Sequence, residues 1–198
     1  SINIFKYKGV VMEILDYVTV ENVMPKEFCE NMINTIQKRQ WQKHRWHSNV
    51  TNTHASEATK ELDVQGIDQE LQQLHKPFMV QAAKTYNTKF AGPAGSKTEQ
   101  LVQTFTPIRF NRYNTGTMMR RHYDHIHSIF DGQRRGIPVL SFVGVYNDDY
   151  EGGKMIVRDK EFDLKTGDII IMPSCFMYPH EVTEVTKGTR HSFVSWAF

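Results

Sequence analysis

The sequence predicts a mainly β protein with flanking helices (α+β), its core a jelly-roll (double-stranded β-helix) packed against N-terminal helices. Three observations carry that expectation. From about residue 104 onward the chain breaks into short runs rich in β-branched and aromatic residues, separated by Gly-containing turns. Apolar residues at helical spacing are confined to the first half. Between the two regimes lies Ala91-Gly92-Pro93-Ala94-Gly95-Ser96, whose two glycines and proline break the helical pattern. At 198 residues the chain suits one well-buried domain, 1–198, with about 1–100 as helical and sheet support and about 104–198 as the jelly-roll core.

In chain order, residues 10–23 are apolar and β-branched and read as a strand or two, leading into a helix that opens at Pro25, a favoured first helical position. Phe28, Met32 and Ile36 then recur at helical spacing. A second helix runs from about Asp68, with Leu71, Leu74, Phe78 and Ala82 on one face, and Pro77 is expected to bend or split it. Both helices are expected to back a sheet. The candidate strands are 104–113, 118–127, 138–146, 154–158, 168–172, 176–186 and 189–198, with turns at Glu151-Gly152-Gly153 and Thr166-Gly167-Asp168.

Composition narrows the class. Hydrophobic residues at 39% and aromatics at 12%, with charges interspersed, imply a packed core and exclude a disordered tail. A net charge of +2 without long single-sign runs points to no particular partner, and nucleic acid is neither implied nor excluded. Cys29 and Cys175 are too few for a disulfide framework or a thiolate zinc site, which fits a reducing, cytoplasmic setting. Lys6, Lys8, Glu13 and Asp16 interrupt the apolar N-terminal stretch, so a soluble protein without a membrane segment is expected. No heptad or large apolar patch indicates an oligomeric state.

The chemistry concentrates in Arg120-Arg121-His122-Tyr123-Asp124-His125-Ile126-His127. In a strand, alternation turns His122 and Asp124 to one face, while Tyr123, His125 and His127 face the other. His180, in Tyr178-Pro179-His180-Glu181-Val182, is the candidate third ligand, since a jelly-roll brings distant strands side by side. Two imidazoles and a carboxylate leave coordination positions open, as in non-haem Fe(II) oxygenases, whereas structural zinc closes all four, usually with thiolates. Arg190 and Ser192 follow, sharing a strand face with Val194 and Trp196. A guanidinium beside a hydroxyl suits the distal carboxylate of 2-oxoglutarate. For His180 and Arg190 to face one interior across a hairpin, an odd-length loop such as Thr186-Lys187-Gly188 is required.

Tyr113, His122-Tyr123-Asp124, Glu151-Gly152-Gly153, Thr166-Gly167-Asp168, Pro179-His180-Glu181-Val182, Arg190 and Trp196 occur in the order seen in prolyl hydroxylases. Over roughly 104–198 the chain resembles the prolyl 4-hydroxylase type of Fe(II)/2-oxoglutarate-dependent dioxygenase. Its ending is similar to that of the oxygen-sensing prolyl hydroxylases, where arginine binds the cosubstrate and procollagen-type enzymes usually carry lysine. The resemblance implies Fe(II) on His122, Asp124 and His180, 2-oxoglutarate on Arg190 with a hydrogen bond from Tyr113, and Trp196 lining the substrate side. Arg134 or Arg135 lies where such enzymes often place a substrate-contacting arginine. O2 is the oxidant, with ascorbate as a supporting reductant, and the implied reaction is hydroxylation of an unactivated C–H bond of a prolyl residue in a protein or peptide. The alternatives are a free amino acid or methylated nucleobase as substrate, or a non-catalytic jelly-roll module whose histidines hold zinc or nothing.

The first half aligns with nothing in that family. Arg39-Gln40-Trp41-Gln42-Lys43-His44-Arg45-Trp46-His47 interleaves basic and aromatic residues, and Ser48 to Lys60 reads as a mobile loop over the site. Such a stretch suits gripping a peptide or stacking on bases, or equally an edge strand with a polar outer face.

Overall fold

Two antiparallel sheets face each other across one apolar interior in the computed structural model, which describes residues 6–7, 10–11, 13–48, 53–55, 60–66, 69–90, 101–124 and 138–198. The larger sheet has seven strands in the order Thr19–Asn22, Asp168–Pro173, Leu140–Val145, Thr189–Ala197, Arg109–Asn114, Asp63–Gly66 and Gln42–Lys43. The smaller runs Lys160–Phe162, Met155–Val157, His180–Val182 and Met119–His122. This is a jelly-roll.

Alternation along the strands sorts the large sheet's side chains into two cores. Ile170, Met172, Val143, Val145 and Val194 point toward the small sheet and meet Met119, Met155, Val157 and Val182. Ile169, Ile171, Phe142, Phe193 and Ala197 point the other way, onto two helices. Buried on both faces, these strands read as near-continuous apolar runs.

The first helix, α1 (Lys26–Ile36), begins one residue later than expected, with Pro25 as its N-cap and not its first helical position, and buries Cys29, Met32 and Ile36. The second, α2 (Gln69–Phe90), remains one helix through Pro77 and buries Leu71, His75, Met79, Ala82, Ala83 and Tyr86. The face read from sequence is corrected at one position, because Leu74 is 49% exposed while polar His75 is buried in its place. Tyr146 makes this possible. His75 Nδ1–H donates to Leu71 O at 2.6 Å, leaving Nε2 to accept from the Tyr146 hydroxyl at 2.5 Å.

Other boundaries differ too. The strand expected at 104–113 is Arg109–Asn114, and the one expected at 176–186 divides into His180–Val182 and Val185–Lys187. Residues 10–23 give two short strands around a 3-10 turn, Ile14–Tyr17. The break at 91–96 lies outside the described residues. Among those described, no helix is long and apolar enough to cross a membrane.

Candidate metal and cosubstrate site

His122 ends the Met119–His122 strand and His180 begins His180–Val182, and the two are directly paired across the small sheet. That register brings their rings to 4.4 Å between centroids. His122 Nδ1 contacts Arg120 O at 2.8 Å and His180 Nδ1 contacts Tyr178 O at 3.1 Å. With Nδ1–H donated to these carbonyls, each Nε2 keeps a lone pair for a metal.

Asp124 completes the cluster. Its Oδ1 lies 3.6 Å from His122 Nε2, its Oδ2 lies 3.7 Å from His180 Nε2, and the ligand atoms of all three residues fall within 4.8 Å of one another. The expected reason for its orientation is corrected: the strand stops at His122, so alternation does not aim Asp124. Ser141, in Leu140–Val145 of the opposite sheet, donates its hydroxyl to Asp124 Oδ2 at 2.7 Å and fixes it. Burial alone would raise the Asp124 pKa, but the proximity of His122 and His180 and the Ser141 hydrogen bond hold it well below the usual carboxylate range. Burial, aided by His122, pushes the His180 pKa down against the pull of Asp124, favouring the neutral imidazole that ligation needs.

Arg190 is 1% exposed. One terminal nitrogen donates to Ser192 Oγ at 2.8 Å, and the guanidinium sits 5.0 Å from the centre of the Tyr113 ring, its cross-strand partner. The Nε and the other terminal nitrogen have no partner among the described residues. A buried cation without a counter-ion is costly, so this arrangement favours an incoming anion. The guanidinium borders a cleft of about 140 Å³ lined also by Tyr150, Gly153, Met155 and Leu164. Gly153, at φ 57°, leaves room there, since a β-carbon would come within 3.2 Å of Arg190 Cδ and 2.9 Å of Val185 Cγ2.

The expected hairpin between His180 and Arg190 is not what joins them. His180 lies in the small sheet and Arg190 in the large one, with Val185–Lys187 paired separately to Glu151–Gly152, so no loop parity governs their facing. Trp196 is half-buried on the same interior face and directly opposite Ser141, which binds Asp124. Arg134, Arg135, His125 and His127 lie outside the described residues, as does most of the expected loop at 48–60.

Ser141 and Arg109 were not singled out from the sequence, and Trp46 was named only within the basic-aromatic stretch. Ser141 is a polar residue at an interior position of an otherwise apolar strand, which was its one signal. Trp46 packs edge-on against His122 at 5.3 Å between centroids, while its indole N–H donates to Glu61 Oε1 at 2.7 Å and Arg120 covers its ring at 4.3 Å. Trp41, by contrast, packs on the helix-side core beneath Arg112, so the basic-aromatic stretch splits between site wall and support. Arg109 stands on the interior face with Tyr113, four residues earlier on the same strand.

The 2OG-Fe(II) oxygenase superfamily model matches residues 108–198. A PKHD-type hydroxylase of Delftia acidovorans is 36% identical over 99 residues, covering 46% of this chain and 42% of that protein. One from Shewanella oneidensis is 35% identical over 98 residues, again 46% and 42%. The matched stretch therefore spans less than half the length of these relatives. A Pseudomonas putida prolyl-4-hydroxylase structure superposes with a TM-score of 0.66 at 17% identity over 93% of this chain and 96% of that one. A Trichoplax adhaerens prolyl hydroxylase, solved with a hypoxia inducible factor oxygen degradation domain peptide fragment, gives 0.65 at 16% identity over 93% and 85%. At these identities the structural likeness speaks for the fold.

Proposed function

From the match of residues 108–198 to the 2OG-Fe(II) oxygenase superfamily model we infer that the chain is an oxygenase of that family. The chain hydroxylates an unactivated C–H bond, that of a prolyl residue in a protein or peptide, using Fe(II), 2-oxoglutarate and O2. The observation that carries this is Arg190, a buried guanidinium with two nitrogens unpartnered among the described residues, sharing an interior with the His122, Asp124 and His180 cluster. Two imidazoles and a carboxylate suit Fe(II), and an orphaned guanidinium suits the far carboxylate of a dicarboxylic acid.

When bound, Fe(II) with 2-oxoglutarate and O2 supplies the oxidising power, releasing succinate and carbon dioxide as hydroxyl replaces hydrogen on the substrate carbon. The protein's part is to hold and exclude. His122, Asp124 and His180 hold the metal, and the carbonyls of Arg120 and Tyr178 fix the two imidazoles in the ligating tautomer. Arg190, with Ser192 and Tyr113, holds 2-oxoglutarate in one orientation, and Trp196 lines the substrate side. The apolar interior between the sheets keeps bulk water from the reacting atoms. The helices share a core with the large sheet, which supports reading 1–198 as one catalytic unit. The homology of the matched stretch to hydroxylases and the fold shared with a peptide-bound prolyl hydroxylase support a prolyl substrate.

The test is succinate formation from 2-oxoglutarate with Fe(II), with and without ascorbate, alongside mass analysis of proline-containing peptides, free amino acids and methylated oligonucleotides. A gain of about 16 Da on proline is expected in the peptide arm. Asp124→Ala should abolish turnover and weaken Mn(II) binding measured by electron paramagnetic resonance. Tight zinc with no turnover on any panel would sink the reading.

A further inference from the structure

Arg109 has no part in the chemistry above, yet it shares its face of the sheet. On Arg109–Asn114 the side chains of Arg109, Asn111 and Tyr113 point into the interior, beside Arg190, Ser192, Val194 and Trp196 of the neighbouring strand. Arg190 is opposite Tyr113 and Val194 is opposite Arg109. Four residues of strand thus separate the arginines, about 13 Å of backbone. One cation stands at each end of the face.

The Arg109 Nε donates to Asn111 Oδ1 at 3.2 Å, and its guanidinium lies 5.7 Å from the centre of the Trp196 ring. It is therefore on the side lined by Trp196, away from the Arg190 cleft. No carboxylate among the described residues pairs with it directly. Both oxygens of buried Glu61 are occupied, one by Trp46 Nε1 at 2.7 Å and the other by His44 Nδ1 at 3.2 Å. Burial works against the Arg109 charge, while Tyr113 and Asp124 support it. Asp124 is committed to the metal in the scheme above. A guanidinium held on this interior face by a neutral amide and an indole, beside Trp196, is arranged to receive an anion.

We propose that Arg109 is a specificity-determining residue that receives a carboxylate of the substrate close to the carbon to be hydroxylated, an assignment that rests on the hydroxylase reading. The carboxylate has two possible sources, an acidic side chain next to the target residue or the α-carboxylate of a terminal or free amino acid, and the guanidinium recognises the same group in both.

Isothermal titration calorimetry on the full chain, loaded with Mn(II) and saturating 2-oxoglutarate so that Arg190 is occupied, decides it. Two probe pairs separate the sources: N-acetyl-L-proline against its amide, and N-acetyl-Glu-Pro-amide against N-acetyl-Gln-Pro-amide. Wild type is expected to bind the acid of one pair about tenfold or more tighter than its neutral partner, as for a charge-assisted hydrogen bond. The pair that shows the preference identifies the source. Arg109→Gln should remove the preference and Arg109→Lys should keep part of it. Absence of any preference in wild type, weak or undetectable binding included, overturns the proposal without recourse to a variant, and so does a preference that survives in Arg109→Gln. Succinate formation is read separately: turnover without a carboxylate preference defeats this assignment alone, and absence of metal-dependent turnover defeats the hydroxylase reading.

Discussion

At the scale of single residues, Arg190 separates stability from function. Its Nε and one terminal nitrogen are buried without partners among the described residues, of which Ser192 and the Tyr113 ring relieve the desolvated charge. Removing an uncompensated buried cation in favour of an apolar chain of similar length is commonly neutral or stabilising. Arg190→Met should therefore leave the melting temperature unchanged or higher, while weakening 2-oxoglutarate binding by about tenfold or more, the loss expected for a charge-assisted contact. Arg190→Lys keeps the charge but loses the planar fork, and should fall between. Calorimetric affinity and thermal melting on the same samples test both halves. A melting temperature that drops with the affinity would show Arg190 to be a structural support and not an anion site.

At the scale of elements, the interlock between two central strands is the most exposed to test. Gly144 lies opposite Phe193, and a β-carbon on it would stand 1.9 Å from the Phe193 ring. The ring is fully buried and meets His75 and Tyr146 on its other sides, so it has little space to retreat into. Gly144→Ala should cost about 1–3 kcal/mol, typical of overpacking. Phe193→Leu should recover part of that loss in the double variant, giving a coupling of about 0.5 kcal/mol or more by urea unfolding. Additive losses would mean the ring does not rest on the glycine. The central strands were legible because burial on both faces leaves long apolar runs such as Asp168–Pro173, whose limits fall within a residue of expectation. The split of 176–186 was not, because both halves remain β-like in composition and only pairing to different neighbours divides them. The buried face of α2 was misjudged at His75 because the acceptor and donor that let it be buried, Leu71 O and the Tyr146 hydroxyl, include one 71 residues away.

At the scale of the whole molecule, the same distance effect decides how much of the site could be read. His122, Asp124, His180, Arg190 and Ser192 were nameable from local spacing, and the fold gathers the first three in one cluster and the last two in one contact. Ser141, Trp46 and Arg109 reach that interior through the meeting of the two sheets and the N-terminal segment; local pattern marked the stretch around Trp46 and the polar Ser141 but not their place beside the ligand cluster. Long-range burial also sets the acid response of the entire fold. Burial, opposed by the Leu71 carbonyl, pushes the His75 pKa down to about 4, and burial with the nearby Arg112 charge pushes His191 down to about 4. Unfolded, each histidine takes up a proton near pH 6.5. Above that pH neither state binds the proton and stability is unaffected. Between about 6.5 and 4 the unfolded chain binds protons that the folded one refuses, so stability falls as pH falls, and below about 4 both states are protonated and this contribution levels off. Each histidine accounts for a loss of at most about 3 kcal/mol across that window. His44 and His180, also lowered chiefly by burial, act in the same direction in metal-free protein. Urea midpoints of the metal-free chain should therefore drop steeply between pH 6.5 and 4, and His191→Leu should shrink the drop while leaving Mn(II) affinity at pH 7 intact, because residue 191 points away from the ligand cluster. A loss of stability confined to pH below 4 would assign acid sensitivity to carboxylates and remove the buried histidines from the account.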